Sequence, residues 1–219
     1  MVKRAASRYS ARVRSLVLLL ASAPAFAGTF AIDKKSSELV VKTWKEGVAA
    51  ALAHNHVILA TDYAGEVSFD PAAPAAAKVT LTVQVASLVP DDAALRKKFG
   101  ETAEVGEADR KKIAANMLGD EQLDAAKFPT ISFGSTAVTK NEKGQLVLAG
   151  QLTLHGVTRP VSLTVTIAVK DNQLVGDGKL RFKTSDYGVK PYSTGLGTVR
   201  NRDEVELALH LVGATSSLP

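Results

Sequence analysis

His54 and His56, with Asn55 between them, are the sharpest chemical feature of the chain. On a strand, residues two apart face one side about 6.6 Å apart along the chain, a spacing that suits two imidazoles on one metal ion. A zinc site takes three protein ligands or more, and the next carboxylate of the same parity, Asp62, would lie about 20 Å along a straight strand. His155 and His210 are the remaining imidazoles and stand far away in sequence. The expectation is therefore no metal or other cofactor, with His54 and His56 as hydrogen-bonding residues at the end of a strand. A metal- or haem-linked electron-transfer accessory built on this pair is one alternative, and a non-ligand stress or interaction module with a filled core is another.

Other chemistries find less support. The chain has no cysteine, which excludes a thiol nucleophile, a disulfide framework and haem attachment through thioethers. It carries no Gly-x-Ser-x-Gly elbow and no His-Glu-x-x-His, and Gly195-Leu196-Gly197 without a following helical pattern reads as a loop. The segment 184–202 gathers Tyr187, Lys190, Tyr192, Arg200 and Arg202. It reads either as a mouth or lid whose cations meet an anionic head group or as a solvated loop between two strands. No enzymatic step is expected.

The elements that must position these residues are strands. Residues 150–169 form the plainest case, because Gly150, Leu152 and Leu154 share one parity, and Val161, Leu163, Val165, Ile167 and Val169 share one parity after a turn at His155-Gly156. That is a β-hairpin with one dry and one wet face, Pro160 being placed to open its second strand. The same alternation recurs at Val79, Leu81, Val83 and Val85, at Leu174 through Phe182 after a turn at Asp171-Asn172, and at Val205, Leu207, Leu209 and Leu211. Residues 57–69 read as one long strand, with Val57, Leu59, Tyr63 and Val67 on its apolar parity. The period lengthens only in 91–123, where Asp91 or Asp92 can cap a short helix and Ile113 and Met117 stand four apart in a second. About eight one-sided strands with one helical insert can close a barrel just wide enough for side chains or one slender ligand, or pack as a sandwich.

The first 27 residues have the pattern of a secretory signal peptide. Lys3, Arg4, Arg8, Arg12 and Arg14 precede an apolar run at 16–21 and the cleavage pattern Ala25-Phe26-Ala27, so the mature chain is expected to start at Gly28. The apolar run is too short to span a bilayer, which takes about 20 residues. The whole chain has 27 Lys and Arg against 22 Asp and Glu. All five leader charges are basic, so the mature chain is formally neutral and lacks the basic footprint of a nucleic-acid binder. No linker divides 28–219, which is read as one domain.

Phe128-Pro-Thr-Ile-Ser-Phe133, followed by Gly150-Gln-Leu-Thr-Leu-His-Gly-Val157, resembles the YceI-like family. Ile32-Asp33 with Ser36-Ser37, Gly65-Glu-Val-Ser-Phe-Asp70, Val85-Ala-Ser-Leu88 and Ser185-Asp-Tyr-Gly188 fit the same pattern in order. The resemblance implies a single extended, antiparallel eight-stranded β-barrel of lipocalin-like architecture in the bacterial periplasm. Its lumen would hold a long isoprenoid, polyprenyl or quinone-like, or another lipid, without catalysis. The chain departs from the family pattern at Ala53-His-Asn-His56 and in the helical insert. Side-chain parity nominates Val57, Leu59, Tyr63, Val67, Val83, Phe133, Leu152, Leu163, Val165, Leu180 and Leu207 as the lumen wall. Monomer and homodimer both remain open.

Overall fold

The computed structural model describes residues 27–215, so the proposed leader up to Phe26 lies outside the described residues. In chain order the strands are β1 (Gly28–Ile32), β2 (Glu38–Thr43), β3 (Lys45–Glu46), β4 (His56–Ala60), β5 (Tyr63–Phe69), β6 (Lys78–Gln84) and β7 (Leu88–Pro90). Two helices follow, α1 (Ala93–Lys98) and α2 (Glu107–Leu118). Then come β8 (Thr130–Lys140), β9 (Leu146–Leu154), β10 (Val157–Lys170), β11 (Gln173–Lys183), β12 (Ser193–Thr194), β13 (Val199–Asn201) and β14 (Glu204–Thr215).

Eight of these strands close a ring in the order β1, β5, β6, β8, β9, β10, β11, β14 and back to β1, every pairing antiparallel. A closed ring leaves no sheet edge along its length. Toward one end the ring is extended by a second row, because β14 also pairs with β2, β2 with β4, and β4 with β7. At that end no ladder joins β7 to β8, and the chain between them is the helical insert.

The local reasons for this topology lie in the turns. His155 and Gly156 both take positive φ, 51° and 73°, in the two-residue turn that pairs Leu154 with Val157. Asp171 and Asn172 do the same at 51° and 62° between β10 and β11. Two-residue turns with positive φ at both positions match the right-handed twist of a hairpin, and Asn, Asp, His and Gly are the residues that tolerate them. Pro160 lies inside β10 rather than at its start. The β11 ladder begins only at Thr164, so one edge of β10 is unladdered there and a missing N–H is tolerated.

The expected long strand 57–69 is two strands, and that is the main correction to the fold. Thr61 and Asp62 break it, held by Ser87: the Thr61 amide and hydroxyl donate to the Ser87 carbonyl, and the Asp62 amide donates to the Ser87 hydroxyl at 3.0 Å. Ala60 and Tyr63, three apart, both enter the core, so parity reverses across the break. The buried apolar side chains form a large cluster that holds Phe30, Leu174 and Tyr187, a second around Leu39, Tyr63 and Leu81, and a small third of Val40, Val57 and Leu95. Asp92 caps α1 through the Leu95 amide at 3.0 Å, while Asp91 turns inward.

Candidate functional site: an apolar lumen with a polar mouth

The inward faces of the strands leave a cavity of about 140 Å³ along the barrel axis. Its wall is apolar apart from Ser132 and includes Leu39, Val79, Leu81, Phe133, Leu152 and Leu174. Phe133 is fixed in place by a glycine: its ring lies where a Cβ on Gly150 would stand, so any larger residue there would displace it. At the end reached by the second strand row a wider cavity of about 400 Å³ opens between α2, residues 52–56 and the chain from 184 to 205. The two share Val41, Ile58, Leu88, Ile131, Leu154 and Phe182 on their walls, so the lumen opens into this mouth.

Of the residues nominated by parity, Val67, Val83, Phe133, Leu152, Leu163, Val165, Leu180 and Leu207 stand on the lumen wall. Tyr63 is buried in the adjoining core and is not on the wall, its hydroxyl donating to the Lys34 carbonyl at 3.4 Å. Val57 and Leu59 require correction: they pack outside the barrel with Val40 and Leu95 beneath α1, and Ile58 and Ala60 take the wall in their place. The cause is the reversal at Thr61 and Asp62. Thr164 and Thr166 point to solvent on the outer face of β10, as the alternation implies.

The mouth, though largely apolar, carries the charged and polar groups that the lumen lacks. Lys112, Lys190, Arg200 and Arg202 line it, with Asp109 and Tyr192. Among these four cations Arg200 is ion-paired, to Glu46 at 2.9 Å. Tyr187, grouped with them in sequence, belongs instead to the core, edge-on to Phe182 with ring centres 5.5 Å apart. Two polar atoms at the mouth, Thr43 Oγ1 and His54 Nε2, are buried without a hydrogen-bond partner. Such atoms are rare in folded proteins, because each forgoes the bond water would have given it.

His54 and His56 come together at this mouth, ring centres 4.8 Å apart, and the third member of the cluster is Asp91. Asp91 is buried at positive φ, 56°. One carboxylate oxygen accepts from the Val57 amide at 3.1 Å and from the Arg96 guanidinium at 2.6 Å. The other meets His56 Nδ1 at 2.7 Å, with His54 Nε2 at 3.9 Å. Burial by itself would raise the Asp91 carboxyl, but the hydrogen bond and charge of His56, the Val57 amide and Arg96 outweigh it and hold it below the ordinary range. His54 is shifted down, chiefly by burial and then by the neighbouring His56. Asp62, the sequence candidate for a third ligand, instead pairs with Lys34 at 2.7 Å. His155 packs on the Phe128 ring and His210 on Asp177, both outside the cluster. No periodicity marks Asp91, which reaches the histidines only because β4 pairs with β7.

A closed antiparallel barrel whose apolar lumen opens into a mouth with charged groups is a lipocalin-like architecture, one that supports the binding of a hydrophobic ligand. Residues 30–213 match the family described as YceI-like domain, and the chain belongs to that family. A UPF0312 protein of Shewanella oneidensis is 30% identical over 154 residues, 68% of this chain and 70% of its own length. One from Shewanella baltica is 29% identical over 198 residues, covering 87% and 91%. The crystal structure of Burkholderia cenocepacia BcnA superposes with a TM-score of 0.62 at 24% identity, over 83% of this chain and 98% of that one. A mutant Campylobacter jejuni YceI protein with a monobromobimane guest gives 0.52 at 18% identity, over 74% and 85%. Among the described residues no helix is long and apolar enough to cross a membrane.

Proposed function

We propose that this protein is a periplasmic carrier that holds a long-chain lipid, an isoprenoid of polyprenyl or quinone-like type, with its tail in the lumen and its head group at the mouth, and carries out no chemical step. One observation carries the reading: a lumen walled almost wholly by apolar side chains runs into a mouth lined by Lys112, Lys190, Arg200 and Arg202. The lumen gives driving force without specificity, since burial contributes about 0.8 kcal/mol per methylene. Ten methylenes would give roughly 8 kcal/mol before the costs of association. The mouth supplies orientation, because Lys112, Lys190, Arg200 and Arg202 line the place where an oxygen-bearing head group would sit. The leader pattern in the sequence supports export.

Protein recovered from the periplasm of its native host tests the reading. Its intact mass should correspond to a chain starting at Gly28, and solvent extraction followed by mass spectrometry should yield a long-chain apolar compound near one per chain. If no such compound is found, and the delipidated protein takes up neither prenyl quinones nor polyprenyl phosphates, the carrier reading is rejected.

A further inference from the structure

The geometry points to a transition-metal site at the mouth, in which His54 Nε2, His56 Nδ1 and one carboxylate oxygen of Asp91 bind a divalent first-row ion such as Zn²⁺. The three ligand atoms lie within 4.8 Å of one another. Zinc bonds of 2.0–2.2 Å to nitrogen and oxygen put tetrahedral ligands roughly 3.3 Å apart. Closing the site therefore takes a swing of one ring by about 1 to 1.5 Å and a slight opening of the 2.7 Å contact between His56 and Asp91. The ring that must swing is the one free to do so: His54 is part-exposed, and its Nε2 has no hydrogen bond. An unpartnered, shielded ring nitrogen aimed at a carboxylate is what a ligand awaiting its ion looks like.

The surroundings hold the other ligands as metal sites usually hold theirs. Arg96 and the Val57 amide occupy one oxygen of Asp91 and leave the second turned toward the histidines. Asn55, between the two histidines, is fixed at both ends: its carbonyl accepts from Arg96 at 2.7 Å and its side-chain amide donates to Glu101 at 3.1 Å. Glu101 is in turn paired to Lys42 at 2.7 Å. Metal binding requires His56 Nδ1 to give up the proton it holds toward Asp91, a neutral ring by taking the Nε2–H tautomer and an imidazolium by releasing one proton to solvent, so that both atoms become ligands. The positive charge of Arg96 works against affinity, while its hydrogen bonds fix the carboxylate. His54 and His56 both line the mouth, and it is from that side that a fourth ligand would come. An oxygen of a bound head group would complete the site there. That last step rests on the carrier reading; the metal site itself does not.

The test is titration of the chelator-treated, delipidated mature chain with Zn²⁺ by calorimetry and with Co²⁺ by visible absorption, in which d–d bands report the coordination number. One equivalent per chain is expected, with four- or five-coordinate Co²⁺ bands. His54→Ala should weaken Zn²⁺ binding at least tenfold and abolish those bands, with the circular dichroism spectrum unchanged because His54 makes no hydrogen bond through Nε2. His56→Ala serves as a second ligand variant, since Asp91 keeps Arg96 and the Val57 amide when it is gone. His210→Ala removes a histidine paired to Asp177 on the outer surface and should leave binding unchanged. Absence of saturable binding, or equal affinity in wild type and His54→Ala, overturns the site. Neither result bears on lipid uptake, which is measured separately on metal-free protein.

Discussion

Gly176 offers one substitution with two opposed consequences. It sits in β11 opposite Ile167 and Leu211 and stands on the lumen wall. A Cβ built there meets nothing closer than the Thr166 carbonyl oxygen at 3.7 Å and Leu174 Cδ2 at 3.9 Å, ordinary contact distances, so a side chain can extend into the cavity. Gly176→Leu adds four carbons, worth about 3 kcal/mol when buried. Fixing the leucine rotamer costs up to about 1 kcal/mol, and relief of a glycine within a strand returns 0.5 to about 1 kcal/mol. The delipidated variant should gain about 2 to 3 kcal/mol, a rise in melting temperature of roughly 4 to 10 °C for a domain of this size. The same four carbons take the space of about four tail methylenes, so a prenyl quinone should bind about a hundredfold more weakly. Thermal unfolding of ligand-free protein and a quinone titration read the two effects, and Thr164→Leu on the outer face should change neither by more than about 0.5 kcal/mol. A destabilised variant that binds as the wild type does would show that the lumen is already filled and that the ligand lies elsewhere.

Polarity in the lumen should act in the same direction on binding. Leu163→Asn places an unpaired amide against the tail and should weaken binding by about 1 to 3 kcal/mol, roughly 5- to 150-fold, whereas Thr164→Asn should leave the dissociation constant as it is. Acid should destabilise the fold in part through Glu101, Asp203 and Glu206, three of the carboxylates held below their ordinary range. Burial opposes the shift in each, and it is outweighed by Lys42 and Asn55 at Glu101, by the Ser185 hydroxyl and amide at Asp203, and by Arg181 at Glu206. A lowered folded-state value means stability that is present above the unfolded values of about 4 and is lost as pH falls through the folded ones. Denaturant midpoints should therefore be flat from about pH 6 to 5 and drop below about pH 4, and a midpoint that rises on acidification would contradict the sign.

The sequence by itself determined what depends on neighbours along the chain. Period-two alternation marks the one-sided strands, and His155-Gly156 and Asp171-Asn172 mark turns because those residue types tolerate the left-handed backbone. Parity within an unbroken strand is rigid, so Leu163, Val165, Leu180 and Leu207 reached the wall that alternation assigned them. What only the tertiary structure decided depends on contacts across the fold. Ser87, more than twenty residues downstream, pins the break at Thr61 and Asp62, and a break of that kind reverses parity without interrupting the hydrophobic pattern, which is why Val57 and Leu59 face outward. Asp91 joins His54 and His56 only through the pairing of β4 with β7, and its inward turn needs a backbone conformation that nothing in its neighbours dictates. Tyr187 was drawn into the core and away from the cations beside it in sequence, because the helical turn Thr184–Tyr187 directly after β11 buries its ring against Phe182 while the chain beyond it leaves Lys190 and Arg202 at the mouth. Long-range placement of this sort has no local signature, since the energy that fixes it comes from groups the chain brings together only on closing the barrel.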